Sequence, residues 1–130
     1  MQAAFLRVKL PMLDKWNEDR KRIAKRYLDG IKNPNIILPV AVEEDFDHVY
    51  HVFVVRCDKR EELEKYLADA GIGTVKHYPI PMHLQEAYAS LNIKEGELPI
   101  AELISKTVLS IPMYYGMTDE QIEYVIVKLN

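Results

Sequence analysis

Between Val49 and Lys76 the sequence reads strand, helix, strand, and no other stretch narrows the possible folds so far. Val49 to Arg56 places Tyr50, Val52 and Val54 on one alternate set and His51, Phe53 and Val55 on the other. Both sets are largely apolar, so both faces of this strand are expected to be covered. Asp58 and Glu61 have the Asp-x-x-Glu spacing of a helix-starting box. Leu63, Tyr66, Leu67 and Ala70 follow at helical intervals, and Gly71 supplies the stop. Gly73 to Lys76 is expected to return as a strand. A crossover of this kind makes parallel or split pairings.

The flanking segments supply the covering helices. Met1 to Leu10 is helix-prone but opens without a capping residue and carries apolar groups on several sides, as a helix covered by something else does. Pro11 is expected to kink it or begin a second helix, in which Leu13, Trp16, Ile23 and Tyr27 form the apolar stripe. The charged residues between them read as a solvated face. Gly30 and Asn33-Pro34-Asn35 end that helix, and Ile36-Ile37-Leu38, closed by Pro39, is at best a short edge strand. Glu43 to Asp47 reads as an acidic, solvated turn without the spacing of a calcium loop. A short helix is expected over His83–Leu91 and an irregular connection over Asn92–Leu98. Pro99 opens a helix whose stripe is Ile100, Leu103, Ile104 and Thr107. Val108 to Ile111 is a short strand ended by Pro112. Thr118-Asp119-Glu120-Gln121 is a second box, before a helix striped by Ile122, Val125, Ile126 and Leu129.

Reactive groups concentrate in His77-Tyr78-Pro79-Ile80-Pro81-Met82-His83, between the returning strand and the next helix. Each proline fixes its own φ near −65° and pushes the preceding residue toward extended backbone, so the segment reads as a rigid binding loop. It holds no complete active site. His77 and His83, separated by two prolines, match no standard zinc spacing, and no thiol or carboxylate cluster accompanies them. Cys57 closes an apolar strand and reads as a small buried hydrophobe; His48 and His51 read as structural. Gly71-x-Gly73 follows a helix and lacks a third glycine, so it is no phosphate cradle.

The net charge of −3 and pI near 5.8 give no general attraction to nucleic acid or to anionic membranes. No apolar run approaches the roughly 18 residues of a membrane span. A single cysteine fits a reducing compartment, and a cytoplasmic location is expected.

Several motifs occur in a telling order: Gln2-Ala-Ala-Phe-Leu-Arg-Val-Lys-Leu10, His48-Val-Tyr-His-Val-Phe53, Gly71-Ile-Gly-Thr-Val-Lys-His-Tyr-Pro79, Pro81-Met-His-Leu-Gln85, Leu109-Ser-Ile-Pro-Met113 and Thr118-Asp-Glu-Gln-Ile122. Together they resemble the C-terminal part of the DegT/DnrJ/EryC1/StrS family, pyridoxal-phosphate-dependent aminotransferases of nucleotide-linked keto sugars. The resemblance implies an α+β fold, the small C-terminal domain of a fold-type I aminotransferase, with a small, mainly antiparallel sheet covered by helices. It implies one domain over 1–130, with 1–30 a connecting helix region and 31–130 the α/β core.

In that family a large domain carries the cofactor's lysine, the aspartate on its pyridinium nitrogen, a covering aromatic ring and the phosphate ligands. None matches here, and Met1 is expected to fall within a family helix. The expectation is therefore a chain with no catalytic, cofactor-binding or metal residue of its own, inactive alone, in which His77, Tyr78 and His83 bind the substrate. The parent enzyme would use pyridoxal phosphate, a nucleotide sugar and an amino donor such as glutamate, and would be a homodimer. Two alternatives stand beside this reading: a stand-alone small-molecule-binding module, and an interaction module docking through Met1–Leu10.

Overall fold

The structure, a computed structural model, describes residues 1–41 and 48–130; the acidic turn expected at Glu43–Asp47 lies outside the described residues. Helices α1 (Gln2–Lys9) and α2 (Leu13–Gly30) are joined by a single 3₁₀ turn, Leu10–Met12, with Pro11 in its first positions. After a loop come strand β1 (Phe53–Arg56) and helix α3 (Arg60–Asp69). Helix α4 (Pro99–Thr107) runs directly into strand β2 (Val108–Ile111), and helix α5 (Asp119–Leu129) closes the order.

The sheet is built around β2. It pairs antiparallel with β1, from Phe53 opposite Ile111 to Arg56 opposite Val108. On its other edge Ser110 makes an antiparallel bridge with Val75, and on the outer edge of β1 Arg56 bridges Ile37. The segments at β1 and Val75 are both antiparallel to β2, so they run in the same sense with β2 between them. This is the split form of the expected crossover, and the fold is α+β with a small antiparallel sheet. All four residues of β2 are buried, as its central place requires.

Tyr27, Phe53, Val55, Leu67, Leu109, Ile122 and Leu129 form the middle of the core. Each such side chain contributes roughly 1.5–3 kcal/mol through removal from water. The Tyr27 ring meets Phe53 edge-on at 5.1 Å. Its hydroxyl donates to the Pro112 carbonyl at 2.8 Å, pinning the turn that follows β2 to α2. Burial pushes the Tyr27 phenol well above its ordinary pKa, so it stays a donor. The box at Thr118 forms as expected: Thr118 Oγ1 accepts from Gln121 N, and Gln121 Oε1 accepts from Thr118 N.

Several expectations are corrected. The first strand begins at Phe53, not Val49, because Tyr50 takes a left-handed φ of 50° while its N–H donates to His48 Nδ1 at 2.8 Å. That turn lets the Tyr50 ring enter the core and stack on Phe53 at 6.0 Å. The returning strand shrinks to one bridge at Val75. Asp58 does not cap α3: Lys59 precedes the helix, no side chain caps it, and Glu61 turns outward to Arg60 and Lys76. The helix expected at His83–Leu91 is two 3₁₀ turns, Met82–Leu84 and Glu86–Leu91. Finally, the stripe expected on α4 is only partly buried: Thr107 is, but Ile100, Leu103 and Ile104 are exposed, while Glu102 and Ser105 are buried, Glu102 because it takes hydrogen bonds from the Gly96 turn and His83. Among the described residues, no helix is long and apolar enough to cross a membrane.

Candidate functional site

The proline-bearing loop leaves the edge of the sheet at Val75, whose N–H and carbonyl both bond to Ser110. His77 is therefore delivered beside β2, with its Nδ1 2.9 Å from Ser110 Oγ. The His77–Tyr78 peptide bond is cis, and the two rings stand edge to face at 5.5 Å. Tyr78 is 68% exposed. Pro81 sits at φ −65°, as its ring dictates, and leads into the Met82–Leu84 turn. Gln85 Nε2 donates to the Ile80 carbonyl at 3.2 Å and braces the loop from below.

The fold brings His77, Tyr78 and His83 to one cavity of about 540 Å³, walled on the far side by Leu98, Ile104 and Ser105 of the α4 segment. Tyr88, Leu91 and Met82 complete an apolar lining. The three residues singled out in the sequence thus share one site, but in different states. His77 is half-buried and Tyr78 exposed, whereas His83 is buried and its Nε2 lies 3.1 Å from Glu102 Oε1. Glu102 also accepts from Gly96 N at 2.8 Å. That backbone N–H, with the His83 ring beside it, holds the Glu102 carboxyl below its ordinary pKa against the opposing effect of burial.

Among the described residues no lysine or arginine lines the cavity, so it lacks the side chains that usually hold a diphosphate. Its chemistry suits an uncharged, partly apolar group held by an aromatic face and a few hydrogen bonds. Nor does it fit pyridoxal phosphate, whose attachment requires a neutral lysine amine. Lys76, the lysine next to His77, is clamped by Glu61 at 2.8 Å and Glu64 at 2.7 Å. Those two carboxylates raise its pKa, the opposite of what activating an amine for imine formation demands.

Glu102, Ser105 and Ser110 were not legible as site residues. Glu102 and Ser105 lie on one face of α4, but helical periodicity assigned that face to solvent. Arg60 Nη1 donates to the Ser105 carbonyl, tying α3 to the cavity wall. The one available signal was a histidine, His83, with no partner near it in sequence.

A small split sheet with helices against it, carrying an aromatic and histidine-bearing loop at one edge, defines a small α+β domain. The model of the DegT/DnrJ/EryC1/StrS aminotransferase family matches residues 1–130, and the chain belongs to that family. It is 45% identical to dTDP-3-amino-3,6-dideoxy-alpha-D-galactopyranose transaminase of Aneurinibacillus thermoaerophilus, covering 100% of this chain and 35% of the relative. It is 42% identical to a protein of Geobacillus stearothermophilus named "Pleiotropic regulatory protein", over 99% of this chain and 35% of the relative. The X-ray structure of S. venezuelae DesV in complex with a ketimine intermediate superposes with a TM-score of 0.92 at 44% identity, over 99% of this chain and 35% of that one. The chain therefore spans about a third of the length of the relatives it matches.

Proposed function

We propose that this chain is the small domain of a pyridoxal-phosphate-dependent transaminase that moves an amino group, from glutamate, to a nucleotide-linked keto sugar. In this reading the cavity at His77, Tyr78 and His83 is one wall of the substrate pocket, and its task is recognition. The observation that carries it is the convergence of those three residues on a single apolar cavity in a chain with transaminase relatives. Because no lysine or arginine among the described residues lines the cavity, the sugar or base lies against it in this reading, and the diphosphate is neutralised elsewhere in the parent enzyme. His77, with Nδ1 engaged by Ser110, presents its other ring nitrogen as a hydrogen-bonding group, and Tyr78 contributes a stacking face.

With no lysine placed to take up the cofactor, the chain alone has no transaminase activity. An absorbance scan after incubation with pyridoxal phosphate is expected to show only free cofactor. A lysine-linked band would overturn the reading. In the parent enzyme, His77→Ala is expected to raise KM more than it lowers kcat, since it removes binding shared by ground and transition states. The reverse split would remove His77 from recognition.

A further inference from the structure

Behind His83, which lines the cavity, lies a group that the proline-bearing loop does not supply. Glu102, on the inward face of α4, is buried, and one of its oxygens, Oε1, meets donors from two other segments. One is His83 Nε2 at 3.1 Å, on the turn that ends the proline-bearing loop; the other is Gly96 N at 2.8 Å, on the turn preceding α4. Glu102's own N–H donates to the Leu98 carbonyl at 3.1 Å, so its backbone is anchored in the first turn of α4.

A buried carboxylate is tolerated only where hydrogen bonds replace its water. Here a backbone N–H and an imidazole do so. A carboxylate only accepts, so the bond to His83 requires the hydrogen on Nε2. In the neutral ring, Nδ1 is then the acceptor.

We propose that Glu102 is a positioning residue that locks His83 in its Nε2–H form and fastens the loop, the Gly96 turn and α4 together behind the cavity wall. The role in binding rests on the substrate-pocket reading given above; the ring's hydrogen placement does not. Two consequences follow. His83 cannot donate through Nε2 to anything in the cavity, so any contact its neutral ring makes there runs through Nδ1 as an acceptor. Donors toward a ligand then come from other lining residues, His77, Tyr78, Tyr88 and Ser105 among them.

The test uses the whole chain with ¹⁵N-labelled histidine. Long-range ring spectra under conditions where His83 is neutral are expected to show hydrogen on Nε2. An Nδ1-protonated ring in the unmodified chain would overturn the proposal. Glu102→Gln keeps an amide oxygen for both donors, so it is expected to stay folded and largely keep this form. Glu102→Leu is expected to lose the preference.

Binding is read in the parent enzyme, as the KM for its nucleotide sugar. Glu102→Leu is expected to weaken binding at least tenfold and Glu102→Gln no more than about threefold. His83→Gln, whose amide nitrogen reproduces the position of Nε2, is expected to restore most of what His83→Leu loses. If Glu102→Leu remains folded by thermal unfolding and the His83 ring spectrum does not change, the positioning role is wrong. If His77→Ala and Glu102→Leu both leave the parent enzyme's KM unchanged, the pocket reading fails while the ring spectrum still decides what Glu102 does. Should Glu102→Leu not fold, the unmodified ring spectrum and the paired glutamine variants carry the decision.

Discussion

Helices α4 and α5 have the same kind of amphipathic stripe and bury opposite faces. In α5, Ile122 is fully buried and Val125, Ile126 and Leu129 pack around it against α2 and the sheet. In α4, Ile100 is 74% exposed and Leu103 54%, while Glu102 and Ser105 point inward. Hydrophobic periodicity identifies a helix and the face that prefers to leave water. It does not say where in the molecule, or in a larger assembly, that face finds its cover. The α5 stripe is satisfied within this chain. The α4 stripe is not, and neither are Phe5, Leu6 and Val8 of α1, which has no buried residue.

The largest effect that tests this contrast is in α5. Ile122→Ala should cost about 2–5 kcal/mol, the range for truncating a fully buried aliphatic side chain, read by denaturant unfolding. A loss below about 1 kcal/mol would mean that the α5 interface is not the tightly packed core described above. Next is the box that starts the same helix. Thr118→Ala removes the acceptor of Gln121 N and should cost about 1 kcal/mol.

On α4, Leu103→Ser should change stability by less than about 0.5 kcal/mol, because an exposed side chain leaves no cavity. It should instead lower the light scattering of concentrated solutions by reducing exposed apolar surface. A large destabilisation with unchanged scattering would place Leu103 inside the core after all.

The smallest effect is electrostatic. Hydrogen bonds from Lys76 and then Arg60 pull Glu61 from the ordinary 4.5 down to about 2. A depressed carboxylate stabilises the folded state above the unfolded pKa and loses that contribution as pH falls through the folded one. The contribution of Glu61 should therefore be complete above about pH 4.5 and fade toward pH 2. Because the group is solvent-exposed, the effect should be small and weakened by salt. Glu61→Gln should flatten the stability profile over that window and nowhere else.

Much of this was legible from residues alone, unevenly. α5 could be read from both ends, since its box and its stripe are local and the tertiary structure agrees with both. The Pro11 junction, the stop at Gly71 with φ 75° and the strand ended by Pro112 were equally local. The proline-bearing loop was legible because two prolines among aromatic and imidazole side chains leave little conformational choice. The start of β1 was not. Nothing in Val49–Val52 forbids a strand, and only the docking of the Tyr50 ring on Phe53 makes a left-handed turn there worthwhile. At Asp58 the spacing of a capping box was present, but Arg60 and Lys76 draw Glu61 outward.

By itself, then, the sequence determined the element order, the crossover, the family and the three side chains at the cavity mouth. These depend on steric rules and patterns that act over a few residues. Only the tertiary structure decided which face of α4 turns inward, that His83 is paired with Glu102, and that Ser110 receives His77. Those outcomes are competitions between burying apolar area and satisfying buried polar groups whose partners lie 19 to 33 positions away. At α4 the polar groups won, because an unpaired carboxylate in the interior costs more than an exposed leucine.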